Sequence, residues 1–71
     1  MPSFKAKEIV KILKQLGFEE KRQSGSHLIL YHPKTKHIIP VPMRAKDLKK
    51  GLLKGIIKQA ESTEEEFLKL K

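Results

Sequence analysis

The sequence predicts an α+β fold in which helices cover one face of a small antiparallel sheet. Three observations carry that prediction. Residues 5–16 hold an apolar stripe at helical spacing, residues 27–32 and 36–41 form two short β-rich runs around a tight turn, and residues 45–60 hold a second, broader helical stripe.

Each element can be justified in order. Ala6, Ile9, Val10, Leu13 and Leu16 follow i, i+3, i+4 spacing, with Lys7, Lys11 and Lys14 on the other side. Ser3 is the expected cap, and Gly17 the expected stop. A short polar strand is expected from Phe18 to Arg22, then a turn at Gln23-Ser24-Gly25-Ser26. The runs His27–His32 and Lys36–Val41 flank Pro33-Lys34-Thr35 and read as a hairpin. With His32 opposite His37, Leu28, Leu30, Ile39 and Val41 share the core face, while His27, Ile29, Tyr31, Ile38 and Pro40 share the open one. A one-residue slip would invert this. Pro40 and Pro42 remove ladder donors and mark an edge strand. The second helix is expected over 45–60 with Leu48, Leu52, Leu53, Ile56, Ile57 and Ala60 inward. Gly51 and Gly55 cost helix stability, and their spacing suggests close approach to another element. Ser62 and Glu65 read as a capping box for a short last helix docked by Phe67, Leu68 and Leu70.

With 71 residues the chain is expected to be one domain. A domain of this size buries only about 60% of its unfolded surface, which leaves no room for a deep cofactor cavity. Without cysteine there can be no disulfide, no thiolate catalysis and no Cys-based zinc site. No apolar run approaches the roughly 18 residues of a membrane span, and no signal-peptide core opens the chain, so a cytoplasmic location is expected. Sixteen Lys and Arg against eight Asp and Glu give a net charge of +8. Such an excess gathers polyanions, nucleic acid first among them. A Lys/Glu-rich solubilising surface is the other reading, although such surfaces balance the signs more closely.

Few residues could do chemistry. Glu19 and Glu20 are adjacent in a strand and point apart, so they do not converge on a metal. Glu64 to Glu66 suit a helix start, and no Gly-rich phosphate loop is present. No metal and no cofactor are expected. His27 follows the Gly25-Ser26 corner, with Lys21, Arg22 and Lys36 near it in sequence or across the hairpin. Cleaving a phosphodiester without metal needs a base, cationic stabilisation of the phosphate and an acid, and imidazoles serve either proton role near neutral pH. A lone strand-edge histidine can equally be an ordinary surface residue. His32 and His37 flank the turn, as a solvated pair or two ligands of a metal site. Tyr31 can stack a base from the open face or pack half-buried.

Taken together, Gly17-Phe18, Arg22, Gly25-Ser26-His27, Val41-Pro42, Gly51-Leu52-Leu53, Ile56-Ile57-Lys58-Gln59-Ala60 and Glu65-Glu66-Phe67 stand in an order that resembles the HicA toxin family across nearly the whole chain. The resemblance implies a double-stranded-RNA-binding-domain-like α-β-β-β-α fold with a short C-terminal helix. It also implies mRNA cleavage as the toxin of a toxin–antitoxin pair, and neutralisation by a HicB-type antitoxin that covers the active site. The family's catalytic histidine maps to His27. Many members carry a second histidine shortly after Val-Pro, where this chain has Arg44, and Glu61 stands where glycine is usual. On this reading Lys21, Arg22 and Arg44 hold phosphate, Ser26 positions it, RNA and the antitoxin are the partners, and a homodimer is left open. A non-catalytic RNA-binding module of the same fold is the alternative, and an orphan member that mainly binds antitoxin is a third.

Overall fold

In a computed structural model, which describes residues 3–44 and 47–71, the chain runs α1 (Ala6–Gln15), β1 (Glu19–Ser24), β2 (His27–Tyr31), β3 (Ile38–Pro42), α2 (Lys50–Gln59) and α3 (Glu64–Leu70). The strands form one antiparallel sheet in the order β1-β2-β3. This is the α-β-β-β-α order of a double-stranded-RNA-binding-domain-like fold, with one further helix. Among the described residues, no helix is long and apolar enough to cross a membrane.

The stripe of α1 buries Ala6, Ile9, Val10 and Leu13 as its spacing requires, and Ile12 as well. The cap differs from expectation. Lys5 precedes the helix and its N–H donates to Glu8 Oε1 at 2.9 Å, while Ser3 plays no part. The reason lies in Phe4, which is fully buried, stacks edge-on to Phe67 at 6.3 Å and accepts a backbone hydrogen bond from Leu48 at 3.0 Å. The chain therefore enters α1 from the core, and the cap falls after Phe4. At its other end α1 closes with Gly17 N–H on Lys14 O (3.1 Å) and Phe18 N–H on Leu13 O (2.9 Å), with Gly17 at φ 102°. Those two bonds satisfy carbonyls that a helix end leaves orphaned. Phe18 is consequently a buried helix-end residue, and β1 begins one residue later than expected.

The β2–β3 register is the expected one: Leu28 faces Val41, Leu30 faces Ile39 and Tyr31 faces Ile38, while His32 N–H donates to His37 O at 3.0 Å. Leu30, Ile39 and Val41 are fully buried against the helices, with Leu28 packed beside them. β1 runs on to Ser24, so the turn shrinks to Gly25-Ser26, with Gly25 at φ 60°. β3 starts at Ile38 rather than Lys36, because Lys36 sits in the left-handed region at φ 66° and leaves the strand.

α2 begins at Lys50 instead of residue 45, and residues 45 and 46 lie outside the described ones. Leu48 reaches the core before the helix starts, its backbone tied to Phe4, which breaks the apparent period. Leu53, Ile56 and Ile57 are buried, but Leu52 is 43% exposed, so the stripe is narrower than expected. Among the described residues, a Cβ at Gly51 or Gly55 would meet nothing within 4 Å, so no described element approaches either glycine. The last helix is capped by Thr63, whose hydroxyl accepts from Glu66 N–H at 3.1 Å, one residue beyond the expected Ser62–Glu65 pair. Ser62 instead donates its hydroxyl to the Glu66 carboxylate. Phe67 is fully buried, whereas Leu68 is 42% exposed.

Candidate active site

Alternation along the sheet sorts the polar side chains onto two faces. On β2 the core takes Leu28 and Leu30, which leaves His27, Ile29 and Tyr31 on the open face. His27 is exposed at the first position of the central strand, directly opposite Ser24 on β1 and Pro42 on β3. The tight Gly25-Ser26 turn fixes that position. Met43 N–H donates to Ser26 O at 2.8 Å, which ties the corner to the end of β3. Ser26 thus positions the corner through its backbone.

Two arginines belong to the segments that meet at this corner. Arg22 pairs with Ile29 and so lies diagonally from His27 on the same face, at the roughly 7–8 Å Cβ separation of diagonal neighbours. Arg44 is exposed immediately after Met43, beside the same turn. Ser24 and His27 therefore face each other at one end of the sheet, with Arg22 one step along the same face and Arg44 following β3 in sequence. Sequence reasoning missed Ser24 because it ended β1 at Arg22. The signal was present in Gly25, whose freedom at positive φ permits a two-residue turn and longer strands.

A bulge in β1 places the next cation. Glu20 pairs with Leu30 and Arg22 with Ile29, so Lys21 is an extra, unpaired residue. Regular alternation would put Lys21 and Arg22 on opposite faces. The bulge lets Lys21 join the open face, where its Nζ lies 5.3 Å from the Tyr31 ring centroid. Glu20 remains on the helix side and pairs with Lys14 of α1.

Lys21 and Lys36 were expected near His27, and neither is. Lys36 Nζ donates to Tyr31 Oη at 3.2 Å and lies 5.9 Å from the ring centroid. Tyr31 stands four positions from His27 on β2, about 13 Å away at roughly 3.3 Å per residue. The open face thus has a His27 end and a Tyr31 end, with Arg22 between them opposite Ile29 and Lys21 and Lys36 gathered at Tyr31. Tyr31 itself is half-buried.

His32 is not a solvated turn residue. Its Nδ1 accepts from the N–H groups of Lys34 (3.2 Å) and Thr35 (3.3 Å), and its ring packs edge-on against Phe18 at 5.0 Å. Among the described residues no three His, Cys, Asp or Glu side chains gather as metal ligands. A groove of 480 Å³ lies on α1, lined by Lys7, Val10, Lys11, Lys14 and Gln15, with no candidate residue in it. The candidate site is an open surface, a shape suited to a polymer.

Over residues 6–61 the sequence matches the family described as HicA toxin of bacterial toxin-antitoxin. No curated protein matches it. The matched span runs from the first residue of α1 to just past α2 and contains every candidate site residue. The chain belongs to the HicA toxin family.

Proposed function

We propose that this HicA-family chain is an endoribonuclease that cleaves mRNA with His27. The observation that carries the reading is an exposed histidine facing Ser24 on an open sheet face, with Arg22 diagonal to it and Arg44 two residues past the paired Pro42. His27 takes the proton of a ribose 2′-hydroxyl, and the oxygen so freed attacks the adjacent phosphorus. The 5′-oxygen leaves, giving a 2′,3′-cyclic phosphate and a 5′-hydroxyl. Arg22 and Arg44 stabilise the charge that develops on the phosphate oxygens. An arginine stays protonated and is a poor acid, and Tyr31, with the Lys21 ammonium beside it, stands at the far end of β2, so the leaving oxygen takes its proton from water and the hydroxide formed takes back the proton held by His27. Turnover is accordingly slow.

Membership of a toxin–antitoxin family implies an antitoxin partner. We assign that partner to the HicB type, covering the open face in the cytoplasm. The test is expression of wild type and His27→Ala in cells, scoring growth and RNA integrity, together with cleavage of purified RNA in EDTA. Wild type arrests growth, cuts RNA in EDTA and spares RNA lacking the 2′-hydroxyl at the scissile position. His27→Ala does none of this while melting as a folded protein, since an exposed side chain contributes only about 0.5 kcal/mol. A fully toxic His27→Ala, or cleavage that requires added Mg²⁺, overturns the mechanism. Tight RNA binding with no cleavage by wild type would make the chain a binding module.

A further inference from the structure

We propose that Lys21, Tyr31 and Lys36 form a second phosphate-binding subsite, which holds the RNA strand a few nucleotides from the bond cut at His27. The identity of the polymer rests on the ribonuclease reading; the subsite itself rests on its own geometry.

Two separate irregularities of the backbone deliver two ammonium groups to one ring. The bulge in β1 brings Lys21 Nζ to 5.3 Å from the Tyr31 centroid. The left-handed conformation of Lys36, φ 66°, brings its Nζ to 3.2 Å from the phenolic oxygen. A lysine in that region carries a backbone cost that glycine would not. The local fold needs only the backbone there, where Lys36 N–H donates to His32 O at 2.8 Å. Among the described residues neither ammonium has an acidic ion-pair partner.

The chemistry of the cluster is that of an oxyanion site. The phenolic oxygen accepts from Lys36, so its own hydrogen points elsewhere, and no described residue accepts it. Two ammonium groups and a polarised hydroxyl therefore surround one ring and can meet strand phosphate there, each lysine held to the ring by cation–π attraction. Glu19 stands opposite Tyr31 in register and opposes an anion there, which makes the subsite weaker than its lysines alone would. A phosphate is favoured over a partner's carboxylate because Arg22 continues the cationic surface along the same face from Tyr31 toward His27. At about 13 Å from His27 the cluster cannot touch the reacting phosphate. It binds and sets register.

The test uses Lys36→Gly, which removes the ammonium and relieves the strain, with Lys36→Arg as rescue and Glu19→Gln as a change of opposite sign. Affinity is read with a single-stranded oligonucleotide made non-cleavable by 2′-O-methylation. Lys36→Gly melts no lower than wild type, weakens Kd about threefold to fivefold at low salt, and makes the salt slope shallower by about 0.7. Lys36→Arg restores both, and Glu19→Gln tightens binding. In cleavage, Lys36→Gly raises KM for the oligonucleotide at unchanged kcat and leaves a dinucleoside monophosphate unaffected. Unchanged Kd and slope overturn the proposal, as does equal loss on both substrates, or a loss confined to antitoxin binding. If wild type binds RNA with this Lys36 dependence but cuts none, the ribonuclease reading falls and the subsite stands.

Discussion

Gly17 and Glu61 occupy the same structural position and differ in how well they fit it. Each follows a helix, and each donates its N–H three residues back, Gly17 to Lys14 O and Glu61 to Lys58 O. The next residue closes the turn in both cases, Phe18 on Leu13 O and Ser62 on Ile57 O. Both residues have positive φ, 102° at Gly17 and 55° at Glu61. A side chain there costs about 1–2 kcal/mol. At Gly17 a Cβ would also meet His32 Nε2 at 2.8 Å, and that ring is held by Phe18 and by two backbone donors. Gly17→Ala is therefore expected to destabilise by about 2 kcal/mol or more, lowering Tm by roughly 8–16 °C for a domain of this size. Glu61→Gly is expected to stabilise by about 1 kcal/mol, raising Tm by roughly 4–8 °C. Thermal denaturation of both variants checks the pair, and a neutral Gly17→Ala would mean that His32 is free to move.

Among the elements, the β2–β3 hairpin and α1 were the most legible, and β1 the least. Leu28, Leu30, Ile39 and Val41 alternate with residues that bury poorly, so only one register places them all in the core, and His27 falls on the open face as a consequence. All six residues of β1 are exposed, so burial sets no face and the bulge leaves no mark in the sequence. That is why Arg22 could be assigned to His27 while Lys21 was misplaced. Lys36 was misplaced for a different reason: its reach to Tyr31 depends on a backbone conformation that lysine rarely adopts. The start of α2 was illegible because Leu48 lies in phase with Leu52 yet is held to Phe4 rather than by helix packing. The same helix carries an unforced cost. Gly55 is interior to α2, exposed, and open where a Cβ would stand. Gly55→Ala is expected to stabilise by about 1 kcal/mol, read as a higher urea midpoint at unchanged slope. A loss of stability instead would mean that an element approaches this helix more closely than the structure shows.

At the scale of the whole molecule, the +8 charge is spread over more than one surface. Lys7, Lys11 and Lys14 line the outer groove of α1, while Lys21, Arg22 and Lys36 lie on the open sheet face and Arg44 is exposed just past β3. Among the described residues, acids offset few of them, through Lys14–Glu20 and Lys71–Glu8. All these cations contribute to a long-range field that draws in a polyanion, but only those in contact with phosphate displace counterions. α1 packs its buried residues against the core face of the sheet, so its lysines point away from the proposed RNA path. With Lys21, Arg22, Lys36 and Arg44 each making one contact to the phosphates of a single strand, log K should fall with log salt at a slope near −0.7 × 4, roughly −3. Removing one contact cation, as in Arg22→Gln, should make that slope shallower by about 0.7, whereas Lys11→Gln removes the same charge from α1 and should leave it unchanged. Titrating a labelled, non-cleavable single-stranded RNA between about 50 and 200 mM salt distinguishes these outcomes. Equal changes for both variants would place RNA on α1 as well as the sheet. A slope near zero would reduce the net charge to a solubilising role and remove the electrostatic support for RNA on this face.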